Sequence, residues 1–175
     1  MQEVYDTHRD FRGEWDGWRG TGGRRVPEPE SVKKARNRFL DALNRLFREG
    51  VEPLYSSFMA DPDGAADSVI DFLEIDIPAF RCGYVKEKFL RKLKSVALAE
   101  HQQTRLKKVA LSLVAQGHYR RELSDWSRLM IVMADEEFIR SLQDVIKSLD
   151  AGQARGAERM LRVLIENRPD LQIRT

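Results

Sequence analysis

The chain has 175 residues, of which 42% are apolar and 33% charged, and its net charge is +2. It is long enough to bury a core as one domain, and its composition is ordinary for a globular protein. No apolar run approaches the roughly 20 residues that span a bilayer, and the first residues lack the basic and apolar regions of a signal peptide. One cysteine, Cys82, excludes an internal disulfide, so we expect a cytoplasmic protein without membrane contact.

The first segment of the chain, residues 1–28, is rich in glycine. It contains five of the eleven glycines, and Pro27 and Pro29 mark its end. Glycine and proline at this density are typical of chain outside regular structure. We therefore expect a flexible arm over 1–28, followed by a single helical domain over 29–175.

Three aromatic residues in this arm are candidate docking residues. Phe11, Trp15 and Trp18 follow the i, i+4, i+7 spacing of one helical face. Gly13 and Gly17 weaken such a helix by roughly 1 kcal/mol each relative to alanine. Large apolar rings are costly to leave in water, so the rings either pack on the domain or dock the arm on a partner.

Helical periodicity begins at about residue 31 and continues through the rest of the chain. The brief alternation at Ile75 and Ile77 has no hairpin partner, so no sheet is expected. Asp135 is a candidate N-cap. The sequence predicts an all-α fold of stacked antiparallel helical hairpins or an irregular helical bundle. The helices are expected over about 31–49, between Pro53 and the turn at 61–64, and over 67–73, 83–99, 102–116, 123–133, 136–149 and 154–167.

An arginine and a glycine twelve residues apart bracket three of these helices, at 38–50, 105–117 and 140–152. The last two arginines lie 35 residues apart and the first two lie 67 apart, close to twice that period. The tetratricopeptide consensus is not present. Over about 83–167 the helix lengths and turns resemble those of HEAT-like α-α repeats. The resemblance implies a small curved stack used for binding rather than an enzyme.

The charges are sorted into blocks along the chain. Residues 51–80 carry seven acids and no Lys or Arg, whereas residues 81–121 carry eleven bases and two acids. Residues 122–150 carry seven acids and three bases. A concentrated positive block produces a local field that attracts phosphates or acidic surfaces.

Most cations of the 81–121 block lie opposite the apolar stripes of the two helices predicted there, and only Lys86 lies at the stripe itself. If the two helices form an antiparallel hairpin, their outer sides merge into one positive surface. We call this surface the basic face; its candidate binding residues are Lys88, Arg91, Lys92, Arg105, Lys108, Arg120 and Arg121.

Several partners fit such a face. The preferred hypothesis is a non-enzymatic interaction protein that binds an acidic protein surface. The alternative is nucleic-acid binding by the same face together with the arm, whose arginines and tryptophans resemble those of single-strand binders. The acids of 61–76 also offer an internal partner for the basic block 81–121, or a head-to-tail contact with a second copy of the chain.

Enzyme chemistry has little support in the sequence. The three histidines and Cys82 lie in no HExxH or CxxC pattern, and no glycine-rich loop follows a strand. The acidic turn at 61–64 has its glycine at position 4 rather than position 6 of a calcium loop. We therefore expect no catalytic residues, no metal and no cofactor.

Overall fold

The computed structural model describes residues 2–20, 27–75, 80–116, 122–150 and 154–171. These residues form helices joined by turns, and the described ranges contain no β-strand. The predicted all-α fold is confirmed. The helices are α1 (Gln2–Gly20), α2 (Glu30–Leu46), α3 (Glu52–Ala60), α4 (Ala66–Glu74), α5 (Phe80–Leu93), α6 (Glu100–Ala115), α7 (Leu123–Met133), α8 (Glu136–Ser148) and α9 (Arg155–Asn167), with a π-helical turn at Phe47–Val51 and a 3₁₀ turn at Pro169–Leu171.

The chain divides into two compact units, Met1–Ser56 and Ser57–Thr175. The boundary lies within the residues of α3, not at residues 28 and 29 where the composition changes. The glycine-rich segment is therefore not a unit of its own in the described structure, because α1 contacts α2 along its length.

In the first unit, aromatic contacts hold α1 against α2. The ring of Phe39 on α2 stacks on Phe11 at 6.0 Å and contacts His8 at 5.1 Å between ring centroids. Val4 is buried, and Arg45 on α2 donates to the Glu3 carboxylate at 3.2 Å. In the described part of the arm, residues 2–20, packing on α2 thus accompanies a helix despite the weak helix propensity of Gly13 and Gly17. Residues 21–26 lie outside the described residues, and the flexibility of the arm stays a prediction.

The second unit has a regular pattern of contacts. Helix α4 packs on α6, α5 on α7, α6 on α8, and α7 on α9, so each helix contacts the helix two places further along the chain. Apolar stripes with the 3.6-residue period face one another across these contacts. The fully buried core side chains include Phe58, Ile70, Phe89, Leu106, Trp126, Leu129, Met130, Ile139 and Leu142.

Two local predictions have different outcomes. Asp135 is the N-cap of α8, as predicted, and its carboxylate accepts a hydrogen bond from the Phe138 N–H at 2.8 Å. Helix α5 ends at Leu93 rather than at residue 99. The hydroxyl of Ser95 donates to the Lys92 carbonyl at 2.8 Å, and such a local bond competes with continuation of the helix.

None of the helices in the described ranges combines the length and the apolar composition that crossing a bilayer requires. The longest, α1, has 19 residues and carries acidic and basic side chains along its whole length.

Candidate binding surface and cleft

Arg105 on α6 is the centre of an ion-pair network with α4. Its guanidinium donates to the Glu74 carboxylate at 2.7 and 2.9 Å, and it also reaches Asp71 and Asp67. The three acids stand at i, i+4 and i+7 and therefore share one face of α4. His101 adds a nitrogen 3.7 Å from Asp67. The internal pairing of the acidic and basic blocks, one of the alternatives from the sequence, thus occurs at Arg105.

This network changes the titration of its members. The hydrogen bond from Arg105 lowers the pKa of the Glu74 carboxyl below its ordinary value, against the raising effect of burial. The positive charge of Lys108 acts in the same direction as Arg105. The hydrogen bonds from Arg105 to Glu74 and Asp71 in turn raise the pKa of the guanidinium. Arg105 therefore pairs with acids of its own chain, whereas the sequence analysis expected it on a face that is turned to a partner.

Arg91 on α5 takes part in a second network, with α7. It donates to the Asp125 carboxylate at 2.9 and 3.1 Å and to Glu87 at 3.2 Å. Both carboxylates are buried, whereas the Arg91 side chain is 55% exposed. The hydrogen bonds that Arg91 donates to Asp125 are the main cause that raises the pKa of Arg91. Arg91 differs from the expectation in the same way as Arg105, because it neutralises buried acids of its own chain.

The remaining basic-face residues in the described ranges are Lys88, Lys92 and Lys108, and Lys94, which is not one of the candidates, follows Lys92 closely in the chain. Lys88 is exposed on α5, Lys92 is half-buried in the last turn of the same helix, and Lys94 follows that helix and is exposed. Within the described ranges, no carboxylate forms an ion pair with Lys92 or Lys94. Lys108 is exposed on α6. Two further candidates, Arg120 and Arg121, lie outside the described residues.

The three aromatic residues of the arm lie on α1 and contact neighbouring rings. Phe11 contacts Trp15 at 5.7 Å, and Trp15 contacts Trp18 at 5.1 Å. The guanidinium of Arg19 lies 5.5 Å from the Trp15 centroid, within the distance of a cation–π contact. All three rings are half-buried. Phe11 thus packs against its own unit through Phe39, as one of the two interpretations expected, and no partner chain is present to test the other.

A cleft of about 250 Å³ lies among α4, α5, α6 and the start of α7. Its wall includes two buried side chains of opposite charge, Lys86 at 3% exposure and Glu122 at 6%. A methyl group at Gly83 would lie 3.6 Å from the Glu122 carboxylate, so this carboxylate lies beside α5 one turn before Lys86. The rest of the lining comprises Leu73, Glu74, Lys108, Val109, Ser112, Leu113, Gln116 and Trp126.

Sequence reasoning did not identify this cleft, although it contained one signal. Lys86 is the one cation of its helix that lies at the apolar stripe, and a charge at that position is expected to be buried. Glu122 and Trp126 follow the basic block and meet Lys86 only through the packing of α7 on α5. No spacing along the chain indicates that contact.

Metal-binding side chains do not gather in the described part of the chain, where no group of three His, Cys, Asp or Glu residues has the arrangement to hold an ion. Comparison with known proteins gives no match to a family model, to a curated protein or to a solved structure.

Proposed function

We propose that the chain is a non-enzymatic binding protein that presents the lysines at the end of α5 to an acidic segment of another protein. The observation that supports this proposal is that some cations of the basic block form ion pairs within the chain and others do not. Arg105 and Arg91 are paired with acids of the same chain, whereas Lys92 and Lys94 face no carboxylate in the described ranges. The acids of α4 thus satisfy α6 and leave the positive end of α5 available.

The position of these lysines at a helix C-terminus has a structural benefit as well. Cations in the last turn interact favourably with the helix dipole, with a contribution of about 0.3–1 kcal/mol each at low salt. Arg91 and Lys92 occupy that turn. The dipole accounts for one or two cations in that turn, but not for Lys94 beyond the end of the helix.

An acidic protein segment fits this surface better than a nucleic acid. Of the basic-face arginines, the two in the described ranges, Arg91 and Arg105, already hold carboxylates and are not open to bidentate phosphate contacts. The tryptophans of α1 contact each other and Arg19 rather than forming an open row for bases. Lysines act as hydrated point charges and suit a flexible acidic chain.

The contact pattern of the second unit supports the architecture that we propose with this function. Stacked hairpins need contacts between consecutive helices as well as between helices two places apart; α8 with α9 is of the first kind, and α4 with α6, α5 with α7, α6 with α8 and α7 with α9 are of the second. Within the described ranges α5 and α6 are not a closely packed pair, so the expected hairpin that would merge their outer sides is not formed. In such a stack each helix contributes one outer side to an extended surface. We propose that the outer side of α5 is the part of that surface which a partner contacts.

The experiment is a titration of the protein into a labelled peptide of alternating Glu and Ser, and into an oligothymidylate of equal charge, followed by fluorescence anisotropy. We expect the peptide to bind and its affinity to fall between about 50 and 150 mM salt, since the salt screens exposed charges. Tighter binding of the oligothymidylate than of the peptide would contradict the proposed protein partner and favour single-stranded nucleic acid instead.

A matched pair of charge-reversal variants tests the position of the surface. Lys88→Glu/Lys92→Glu/Lys94→Glu is expected to abolish peptide binding. Arg140→Glu/Lys147→Glu/Arg162→Glu changes the net charge equally at exposed positions of α8 and α9 and is expected to retain binding. Equal loss in both variants would show an effect of total charge and would contradict the assignment to α5.

A further inference from the structure

We infer that Ser95, just beyond the C-terminal end of α5, is a phosphorylation site for a serine kinase that recognises basic segments, and that its phosphate switches off the lysine surface beside it. The effect on binding rests on the proposed function, whereas the modification itself is measured without any binding partner. The inference is drawn from the position of the hydroxyl group, from the backbone around it and from the cations that precede it.

The position of Ser95 differs from that of the other hydroxyl-bearing residues in the described ranges. Ser95 is exposed and lies in the turn between α5 and α6, whereas every other Ser, Thr and Tyr that the structure describes lies within a helix. A kinase brings the acceptor oxygen in line with the γ-phosphorus of ATP, and a hydroxyl group on a regular helix reaches that position only after the helix opens. Ser95 is therefore the acceptor that the described fold makes most accessible.

Short-range contacts hold the backbone at this turn. The N–H groups of Ser95 and Val96 donate to carbonyls three residues earlier, at 3.0 and 3.2 Å, and Ala99 is extended directly before α6 begins. The Ser95 hydroxyl adds one more local bond, to the Lys92 carbonyl at 2.8 Å. A segment held by such local bonds opens at a lower free-energy cost than the core. Opening of this turn therefore presents Ser95 to a kinase without requiring the core to unfold.

Cations precede Ser95 in the chain. Arg91, Lys92 and Lys94 lie four, three and one residues before it, and no acid lies between Arg91 and Glu100. Neither Lys92 nor Lys94 forms an ion pair with a carboxylate of the described ranges. Kinases distinguish their substrates by charge pattern, and cations directly before the acceptor fit an enzyme with an acidic substrate groove. The charges thus select a basophilic serine kinase.

The transfer step uses ATP that the kinase holds. The Ser95 hydroxyl oxygen attacks the γ-phosphorus, and a new P–O bond forms as the bond between this phosphorus and the β–γ bridging oxygen breaks. ADP leaves, and the hydroxyl proton passes to the catalytic aspartate of the kinase. The product carries about −1.5 to −2 charge at pH 7.

This negative charge opposes the function that we propose for the end of α5. The phosphate follows Lys92 and Lys94 in the chain and offsets their two positive charges. It also lies close to a helix C-terminus, where a negative charge interacts unfavourably with the helix dipole. An acidic peptide then meets an end of α5 without excess positive charge, so phosphorylation is expected to weaken peptide binding.

The modification is tested on the full chain with ATP and either a basophilic or an acidophilic serine kinase, and mass spectrometry locates the phosphate. We expect the basophilic kinase to phosphorylate Ser95 and the acidophilic kinase to leave it unmodified. Lys92→Gln/Lys94→Gln is expected to lower the initial rate severalfold, because it removes two of the recognised cations. Absence of phosphate from Ser95, or an unchanged rate in this variant, would overturn the inference.

Ser148 is the control within the same chain. Its hydroxyl donates to the Val145 carbonyl at 2.9 Å at the end of α8, so it shares the local geometry of Ser95. Lys147 is the only cation among the four residues before it. We expect no phosphate on Ser148, and equal modification of both serines would show that exposure alone, not the basic segment, directs the kinase.

The switch is tested with the labelled peptide of alternating Glu and Ser. Ser95→Asp is expected to weaken peptide binding about fivefold, the effect of about one surface charge pair, and Ser148→Asp is expected to leave it unchanged. An equal loss in both variants, or no loss in Ser95→Asp, would contradict the switch. If the unmodified wild type binds no peptide, the proposed function fails, and the location of the phosphate still decides whether Ser95 is the modification site.

Discussion

Helices α5 and α6 together contain most of one positively charged block, but the helices packed against them neutralise that charge to different extents. Helix α6 lies between α4 and α8, and both sides supply acids: Arg105 pairs with the acidic face of α4, and Lys107 pairs with Asp135 at the start of α8. On one side of α5, Arg91 pairs with two buried acids, Glu87 of the same helix and Asp125 of α7. At its C-terminal end the half-buried Lys92 and, just beyond the helix, the exposed Lys94 pair with no carboxylate of the described ranges. Whether a cation of this block is paired or exposed thus depends on which side chains the helix packed against it supplies.

The type of residue contributes to this difference. Arg91 and Arg105 each hold a carboxylate through two N–H donors at once, a bidentate geometry that the planar fork of a guanidinium provides and an ammonium group lacks. An ammonium group is a compact, strongly hydrated charge, and Lys94 beyond the end of α5 remains exposed to solvent. The positive block therefore does not act as one surface, because Arg91, Arg105 and Lys107 pair with acids of the same chain and Lys86 is buried.

The largest expected effect concerns the buried acid on the α7 side. Asp125→Ala removes the acceptor of two Arg91 hydrogen bonds in a buried position, and we expect a loss of about 2–4 kcal/mol in the free energy of unfolding. Urea denaturation measures it. Asp144→Ala removes an exposed acid of α8 and serves as the control, with an expected loss below about 0.5 kcal/mol. Similar losses in both variants would show that the α5–α7 network contributes little.

The next effect concerns the link between α6 and α8. Burial raises the pKa of the Asp135 carboxyl, but the hydrogen bonds from Lys107 and from the Phe138 N–H outweigh burial and lower this pKa below its ordinary value. Asp135→Ala is expected to cost about 1 kcal/mol, since it removes an N-cap. Asp135→Asn keeps the cap and loses only the ion pair, so it should cost less. An equal loss in the two variants would assign the stabilisation to the ion pair with Lys107 instead, since that pair is the one interaction both variants lose.

A smaller effect concerns Arg105. Because its acids are partly exposed, Arg105→Met is expected to cost up to about 1 kcal/mol at neutral pH and low salt. The pKa of Glu74 is lowered in the folded state, so the unfolded state takes up its proton first and the stabilisation is lost as the pH falls below the ordinary value of 4.5. The difference in stability between wild type and variant should therefore shrink from pH 6 toward pH 3. A constant difference would contradict this network.

The smallest expected effect is that of replacing two lysines at the C-terminal end of α5. Lys92→Gln/Lys94→Gln is expected to change the free energy of unfolding by less than about 0.5 kcal/mol, since no carboxylate in the described ranges pairs with either residue. Thermal unfolding at low salt measures this change. A loss of stability as large as that of Arg105→Met would show that Lys92 and Lys94 stabilise the fold as Arg105 of α6 does.

The sequence predicted the helices because their apolar residues recur every 3.6 positions, and it predicted the cap of α8 because Asp135 directly precedes such a stripe. It did not predict α1 as a packed helix, since Phe39 supplies the packing from another part of the chain. In the two ion-pair networks, the pairs between helices join residues 31–38 positions apart. The apolar periodicity along one helix contains no information on such pairs.

The turn before α4 has a consequence for this charge pattern. The Gly64 N–H donates to the Asp61 side chain at 3.0 Å, and a methyl group at Gly64 would lie 2.2 Å from the same carboxylate, so glycine alone fits without displacement. This tight turn sets the rotational phase with which α4 begins. The buried residues of α4, among them Ile70 and Leu73, fix the same phase from the core side. A residue inserted between Gly64 and Asp67 therefore has two outcomes: the turn absorbs it, or the helix rotates by about 100°, which removes the three acids from Arg105 and exposes part of the core.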